Sequence, residues 1–146
     1  MEYSIRKMRE QDRDAVLAMM RVFYPSPAVL SNGSEAIFAA DVEQCLRGGP
    51  YLEGYVFAGE DGTVIGYAMV AKSFSTEFGR PCLWIEDLYL REGFRGQGAG
   101  SAFLKFIGQK YPGALLRLEA ERENERAIRV YRRSGFSELP YLELIK

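Results

Sequence analysis

The stretch from Leu83 to Ser101, LWIEDLYLREGFRGQGAGS, predicts how the rest of this 146-residue chain is arranged. Its first half is apolar and rich in β-forming residues, which indicates a buried strand. Its second half contains Gly96, Gly98 and Gly100, which indicate a tight loop that leads into a helix. The free N–H groups and the positive dipole end of such a helix favour phosphate, and glycines let a phosphate approach the backbone. We therefore expect a phosphorylated ligand, although the loop alone also fits a plain turn between a strand and a helix.

Two common glycine loops are excluded by the residues at their ends. A Walker loop ends in Gly-Lys-Ser/Thr, whereas Gly100 is followed by Ser101 and Ala102. A dinucleotide fingerprint would need a third glycine at Ser101 or at Phe103, depending on the glycine from which it is counted. The phosphorylated ligand is therefore expected to be of another kind.

The composition excludes several classes of protein. A length of 146 residues suits one domain over residues 1–146, and a net charge of −1 argues against a nucleic-acid or anionic membrane partner. There is no signal-peptide core and no run of the roughly 20 apolar residues that a spanning helix needs, so we expect a cytoplasmic protein. The chain contains no histidine, which excludes Ser/His and Cys/His catalysis and leaves a poor ligand set for zinc. No metal site is expected.

The remaining sequence alternates between strand-period and helix-period patterns. In chain order the patterns predict a strand over residues 2–7, a helix from 12, a helix over 34–46, hairpin strands over 55–58 and 63–72, the strand and helix of the opening stretch, a strand over 114–120, a helix from 124 to about 134, and a closing strand over 141–146. The strand over 114–120 should be parallel to the one before the loop, because a helix connects them. The segment 73–80 fits a hairpin loop or a mobile flap.

The loop sequence Arg95-Gly96-Gln97-Gly98-Ala99-Gly100 matches the Arg/Gln-x-x-Gly-x-Gly/Ala signature of the GCN5-related N-acetyltransferases, the GNAT family, which the chain resembles. The strand Ile85–Leu90 is also similar to the fourth strand of many members. The resemblance implies an α+β (mixed α/β) fold: a central twisted mixed sheet of six to seven strands, flanked by about four helices, with a parallel strand pair splayed around the cofactor. It implies acetyl-CoA as cofactor, bound by Leu88, Tyr89, Leu90, Arg95, Gly96, Gln97, Gly98, Ala99, Gly100 and Ser101.

A second match to the family lies further along the chain. Members show an Asn that opens the next helix, a Tyr seven residues later and a closing Gly-Phe, which are here Asn124, Tyr131 and Gly135-Phe136. Two helical turns separate Asn124 from Tyr131, so both side chains should lie on about the same helix face. By resemblance Asn124 contacts the pantetheine arm, and Tyr131 is the general acid that protonates the thiolate. From spacing alone, Tyr131 also fits a half-buried core position.

Two glutamates are candidates for the general base that accepts the proton of the amine. Glu86 lies within an apolar strand, where burial raises the pKa of a carboxyl group, and polyamine acetyltransferases resemble the chain here. Glu119 is the rival, because N-terminal acetyltransferases of ribosomal proteins have a glutamate at a similar spacing. Either glutamate also fits a salt bridge, for instance with Arg91 or Arg122. Asp87 should face away from Glu86 unless a bulge intervenes.

The resemblance predicts a direct acetyl transfer to the amine of a small cationic, polyamine-like metabolite. Phe23, Tyr24 and Glu86 are the expected substrate contacts, although packing is a common fate for aromatic residues at a helix end. A protein N-terminus or a lysine side chain is the alternative acceptor. A CoA-binding sensor without turnover is the alternative of another class. The sequence does not fix the oligomeric state, and a homodimer stays open.

Overall fold

One mixed β-sheet organises residues 2–146, the part of the chain that a computed structural model describes. The elements are β1 (Tyr3–Lys7), a 3-10 turn (Glu10–Asp12), α1 (Arg13–Phe23), α2 (Glu35–Arg47), β2 (Leu52–Gly59), β3 (Val64–Ser75), β4 (Arg80–Leu90), α3 (Ala99–Lys110), β5 (Leu115–Leu118) and α4 (Glu125–Arg133). The strands lie in chain order from β1 to β5. Neighbours are antiparallel except β4 and β5, which are parallel as predicted.

Local sequence signals set several element boundaries. Ser34 caps α2, since its hydroxyl oxygen accepts a hydrogen bond of 3.2 Å from the amide of Ile37. Asn124 caps α4 in the same way, with the amide of Ala127 as donor at 3.4 Å. The turn between β2 and β3 is closed by Asp61, whose carboxylate accepts from the amide of Thr63 at 2.9 Å. These boundaries confirm the predictions for α2, α4 and the first hairpin.

The sheet separates two hydrophobic cores. On one face, hereafter the α1–α2 face, Val16, Met19 and Val42 pack on β-sheet side chains that include the fully buried Tyr67. On the opposite α3–α4 face, the core has Phe103 at its centre. Strand side chains alternate between the two faces, so the position of a β4 residue in the alternation decides which face it meets.

The predicted closing strand at the C-terminus is wrong. Residues 141–146 have no strand partner, and Leu142, Leu144 and Ile145 are 82–101% exposed. The alternation of this segment is a local pattern, and a strand forms only where a neighbouring strand satisfies its backbone groups. The sheet therefore has five strands within residues 2–146, rather than six to seven. β5 is also shorter than predicted, with four residues.

Candidate functional site

The parallel strands β4 and β5 separate after a short pairing. Their register runs from Cys82 opposite Leu115 to Ile85 opposite Leu118, where β5 ends. β4 continues to Leu90, so one edge of its last residues faces a cleft instead of a strand. The strand pair is thus splayed, as predicted.

The phase of the β3–β4 ladder determines which backbone groups of β4 face that cleft. The amide of Arg91 donates to the carbonyl of Ile65 at 2.8 Å, and hydrogen-bonded pairs alternate along an antiparallel ladder. Tyr89 therefore exchanges its backbone bonds with β3, whereas the N–H groups of Leu88 and Leu90 point away from β3. The two backbone N–H groups that face the cleft are therefore those of Leu88 and Leu90.

The glycine loop forms the end of the cleft. Gly96 and Gly98 have φ values of +73° and +83°, which favour glycine. A Cβ atom at Gly96 would lie 2.6 Å from Nη2 of Arg126, so the guanidinium group of this α4 residue lies against the loop there. Gly98 is the N-cap of α3 and has no side chain to cap the helix. The first-turn amides of α3 are therefore free to bind an anion.

The cleft has a volume of about 980 Å³ and lies between the end of α1, β4, the glycine loop and α4. It is lined by nearly all the residues predicted to bind the cofactor: Leu88, Tyr89, Leu90, Arg95, Gly96, Gly98, Ala99, Gly100, Ser101, Asn124 and Tyr131. Gln97 does not line it, and its side-chain amide nitrogen donates to the carbonyl of Gly93 at 3.1 Å. Phe23 lines the wall formed by α1.

Basic side chains surround the glycine end of the cleft. Arg95 donates to the carbonyl of Leu90 at 2.8 Å and stacks over the ring of Tyr89 at 5.2 Å. Arg126, Arg129 and Arg133 of α4 also line the cleft. This positive charge adds to the helix terminus and favours a polyanionic ligand.

Tyr131 lies at the cleft wall formed by α4. Its ring is half-buried, packs on Phe136 with ring centroids 6.2 Å apart, and borders the α3–α4 core. Desolvation raises the pKa of the Tyr131 hydroxyl, so the group stays protonated at neutral pH. A protonated hydroxyl at a cleft wall is the state that a general acid needs.

A β-bulge separates the environments of Glu86 and Asp87. Asp87 lies opposite Met69 and Ile85 lies opposite Val70, so Glu86 is an extra residue without a partner. The bulge turns Asp87 onto the α1–α2 face, where Glu86 also lies by alternation. Asp87 and Glu86 therefore do not face opposite ways, because the bulge interrupts the alternation that the sequence predicts for a regular strand.

Asp87 is buried, with 4% of its surface exposed. Its two carboxylate oxygens accept hydrogen bonds from the hydroxyls of Tyr24 at 3.0 Å and Tyr67 at 2.7 Å. Burial raises the pKa of Asp87, and the two tyrosine hydroxyls act in the opposite direction. Tyr24, predicted as a substrate contact, thus uses its hydroxyl within the protein.

Glu86 and Glu119 lie on the same face of the sheet at the point where β4 and β5 separate. Trp84 and Arg117, one alternation earlier on each strand, stack at 4.7 Å on that face. Both glutamates reach solvent. Partial desolvation, followed by the charges of Asp87 and Glu143, raises the pKa of Glu86. A hydrogen bond with the carboxyl group of Glu143 is the main cause that raises the pKa of Glu119 to about 7.

A family model described as "Acetyltransferase (GNAT) family" matches residues 15–136. The chain belongs to the GNAT acetyltransferase family. This confirms the resemblance that rests on the glycine loop, Asn124 and Tyr131.

A thialysine N-epsilon-acetyltransferase from Bos taurus is 34% identical over 83 residues, which are 55% of this chain and 48% of the bovine protein. The match thus spans about half the length of that relative. A possible acetyltransferase from Clostridium difficile 630 superposes with a TM-score of 0.80 at 18% identity, over 99% of this chain and 96% of the other. The aminoglycoside N-acetyltransferase AAC(6')-Iy, solved in complex with CoA, gives 0.77 at 17% identity, over 99% and 94%. These two structures show that the GNAT chain has the predicted α+β fold.

Two acidic residues near Glu86 and Glu119 were not predicted from the sequence. Asp41 of α2 has a pKa of about 6, raised first by burial and then by Asp87 and Glu86. A sign was present in the sequence, because Asp41 shares a helical stripe with the buried Phe38 and Val42. Glu143 was assigned to a closing strand, and no local pattern indicated that it meets Glu119.

The segment 73–80 is a hairpin connection. β3 extends to Ser75, β4 begins at Arg80, and these two residues pair. The residues between them form a turn.

The GNAT chain has, within residues 2–146, no group of three or more acidic, histidine or cysteine side chains that could hold a metal ion. In the same range, no helix is long and apolar enough for a membrane crossing.

Proposed function

We propose that this chain is an acetyl-CoA-dependent N-acetyltransferase that moves an acetyl group directly to a primary amine of a small cationic metabolite. The observation that carries the proposal is the order of groups along β4. An anion-binding loop follows the strand, unpaired N–H groups at Leu88 and Leu90 line the cleft, and Glu86 lies where the strands separate. A cofactor with phosphates at one end and a reactive group at the other fits this order.

The residues present fit the chemistry of acetyl-CoA. The first-turn amides of α3 and the guanidinium groups of Arg95 and Arg126 suit its phosphates. Gly96 leaves no room for a side chain beside Arg126. Asn124 uses its carbonyl oxygen as a helix cap, which leaves its NH₂ group available to the pantetheine arm. The CoA bound to AAC(6')-Iy, a neighbour in fold, supports the same ligand.

The proposed reaction needs no covalent enzyme intermediate. Acetyl-CoA supplies the acetyl group as a thioester when it is bound. The N–H groups of Leu88 and Leu90 would hold the pantetheine arm and would stabilise negative charge on the thioester oxygen. Glu86 is our first candidate for the base that takes the proton of the amine, and Glu119 is its rival. The Tyr131 hydroxyl would donate a proton to the sulfur of CoA as it leaves.

Charge on the α1–α2 face supports a cationic acceptor. Five carboxyl groups lie close enough to influence one another there, namely those of Asp41, Glu86, Asp87, Glu119 and Glu143. A bound ammonium group would offset their mutual repulsion. The bovine relative is named as an N-epsilon-acetyltransferase of thialysine, which supports an amine acceptor.

A titration and an activity panel test the proposal. Acetyl-CoA at 100 times its Kd should stabilise the folded chain by about 2.7 kcal/mol, which a thermal shift detects. Polyamines and diamines should be acetylated faster than a peptide N-terminus or a peptide lysine. Without a thermal shift by acetyl-CoA the proposal fails. A shift without turnover of any amine would indicate a sensor instead of an enzyme.

A further inference from the structure

We propose that Asp87 is a positioning residue that ties the α1 wall of the cofactor cleft to β4 through its hydrogen bond to Tyr24. The inference rests on the proposed function, because it concerns the site for acetyl-CoA. It assigns Asp87 a role other than contact with the amine. Both oxygens of the Asp87 carboxylate already accept tyrosine hydroxyls, and the side chain is 4% exposed.

The first wall is the segment after α1. Tyr24 is the C-cap of α1, and its sequence neighbours Phe23, Ser26, Pro27 and Ala28 line the cleft. The segment continues without regular secondary structure to residue 34, so few backbone hydrogen bonds restrain it. The bond from Tyr24 to Asp87 ties the start of this segment to the sheet. The position of this wall of the cleft therefore depends on the hydroxyl group of Tyr24.

The second wall is β4 itself. Asp87 directly precedes Leu88, the first residue whose N–H group faces the cleft. Tyr67 lies on β3 with no exposed surface, and its hydroxyl holds the other oxygen of the carboxylate. The buried carboxylate thus has one bond to β3 and one to the segment after α1. The bulge at Glu86 is what turns Asp87 into this position.

The aromatic packing around Tyr24 makes a clean test feasible. Its ring packs on Phe23 at 5.4 Å and on Phe38 at 5.1 Å between centroids. Tyr24→Phe keeps this packing and removes only the hydroxyl. Tyr67→Phe is a matched control, because it removes one hydroxyl from the same carboxylate but leaves the bond to the α1 segment intact.

The experiment measures the Kd of acetyl-CoA by calorimetry and the amide hydrogen exchange of residues 24–34 in the free protein. We expect Tyr24→Phe to raise the Kd at least fivefold and to speed exchange in that segment. Tyr67→Phe should change the Kd less than twofold and leave the exchange of the segment unchanged. The melting temperature of each variant is recorded alongside.

Two results would overturn the inference. If both variants weaken binding in proportion to their loss of melting temperature, Asp87 contributes only to stability. If neither variant alters the Kd or the exchange, the tyrosine bonds do not hold the wall. Failure of the wild type to bind acetyl-CoA would instead overturn the proposed function, and exchange in the free protein would still decide whether Asp87 fixes the segment.

Discussion

Glu86 and Asp87 are consecutive residues of β4, yet both side chains lie on the α1–α2 face of the sheet. The bulge leaves Glu86 without a partner on β3 and turns Asp87 towards the buried hydroxyls of Tyr24 and Tyr67. Glu86 remains in contact with solvent. Two adjacent carboxylates thus have different environments, and only the solvent-accessible one is free to meet an amine.

Substitution of the two candidate bases should distinguish them. Glu86→Gln is expected to lower kcat roughly 100-fold or more, the usual contribution of a positioned base. Glu119→Gln should mainly raise the KM of the amine, because it removes one negative charge from the acceptor face. Steady-state kinetics with a diamine checks both values. The opposite pattern, with the large loss of kcat in Glu119→Gln, would make Glu119 the base.

Glu143→Gln should move the acidic limb of the pH–activity profile to lower pH. The charge or hydrogen bond of Glu143 raises the pKa of both Glu86 and Glu119, so its removal lets either base ionise at lower pH. Glu138→Gln is the matched control, since Glu138 lies in the same C-terminal segment but pairs with Arg122 at 3.1 Å. A profile that does not move would show that Glu143 has no influence on the base.

The sequence predicted the residues that line the cleft better than the cluster of carboxyl groups on the α1–α2 face. The loop and helix-cap features depend on the backbone conformation at Gly96, Gly98 and Asn124. Short sequence motifs are enough to predict such local conformations. The bulge at Glu86 depends instead on how β3 and β4 pair, over about twenty residues of separation. The contact of Glu143 with Glu119 depends on the path of a segment without regular structure. Tertiary packing alone determines these two features.

Tyr131→Phe should lower kcat roughly 100-fold and leave the Kd of acetyl-CoA nearly unchanged. The variant keeps the ring that packs on Phe136 and removes the only group that can donate a proton from this side chain. Tyr141→Phe, at a tyrosine that is 61% exposed, is a control for the loss of a hydroxyl. Stopped-flow and calorimetric data on both variants give the two constants. Full turnover by Tyr131→Phe would require another general acid.

Gly96→Ala should weaken acetyl-CoA binding. The φ of +73° costs an L-residue about 1–2 kcal/mol, and the new Cβ would displace the guanidinium group of Arg126, which lines the cleft. Gly113→Ala is a matched control, because Gly113 has a φ of +85° but no atom within 4 Å of an added Cβ. Both variants should lose similar stability, while only Gly96→Ala loses affinity in a titration. Equal affinities would show that the loop does not bind the cofactor.

Asp41→Asn should stabilise the free protein at pH 8 and weaken the binding of a cationic amine. The pKa of Asp41 is raised from 3.8 to about 6, so its ionised form is disfavoured in the folded state. The resulting destabilisation is absent below pH 3.8 and complete above pH 6, on the order of 1 kcal/mol once solvent screening is allowed for. Chemical denaturation at pH 8 and pH 4 checks the sign, with a much larger gain expected at pH 8 than at pH 4. A gain of equal size at both pH values would show that the charge of Asp41 is not its cause, and the amine affinity would then have no reason to fall.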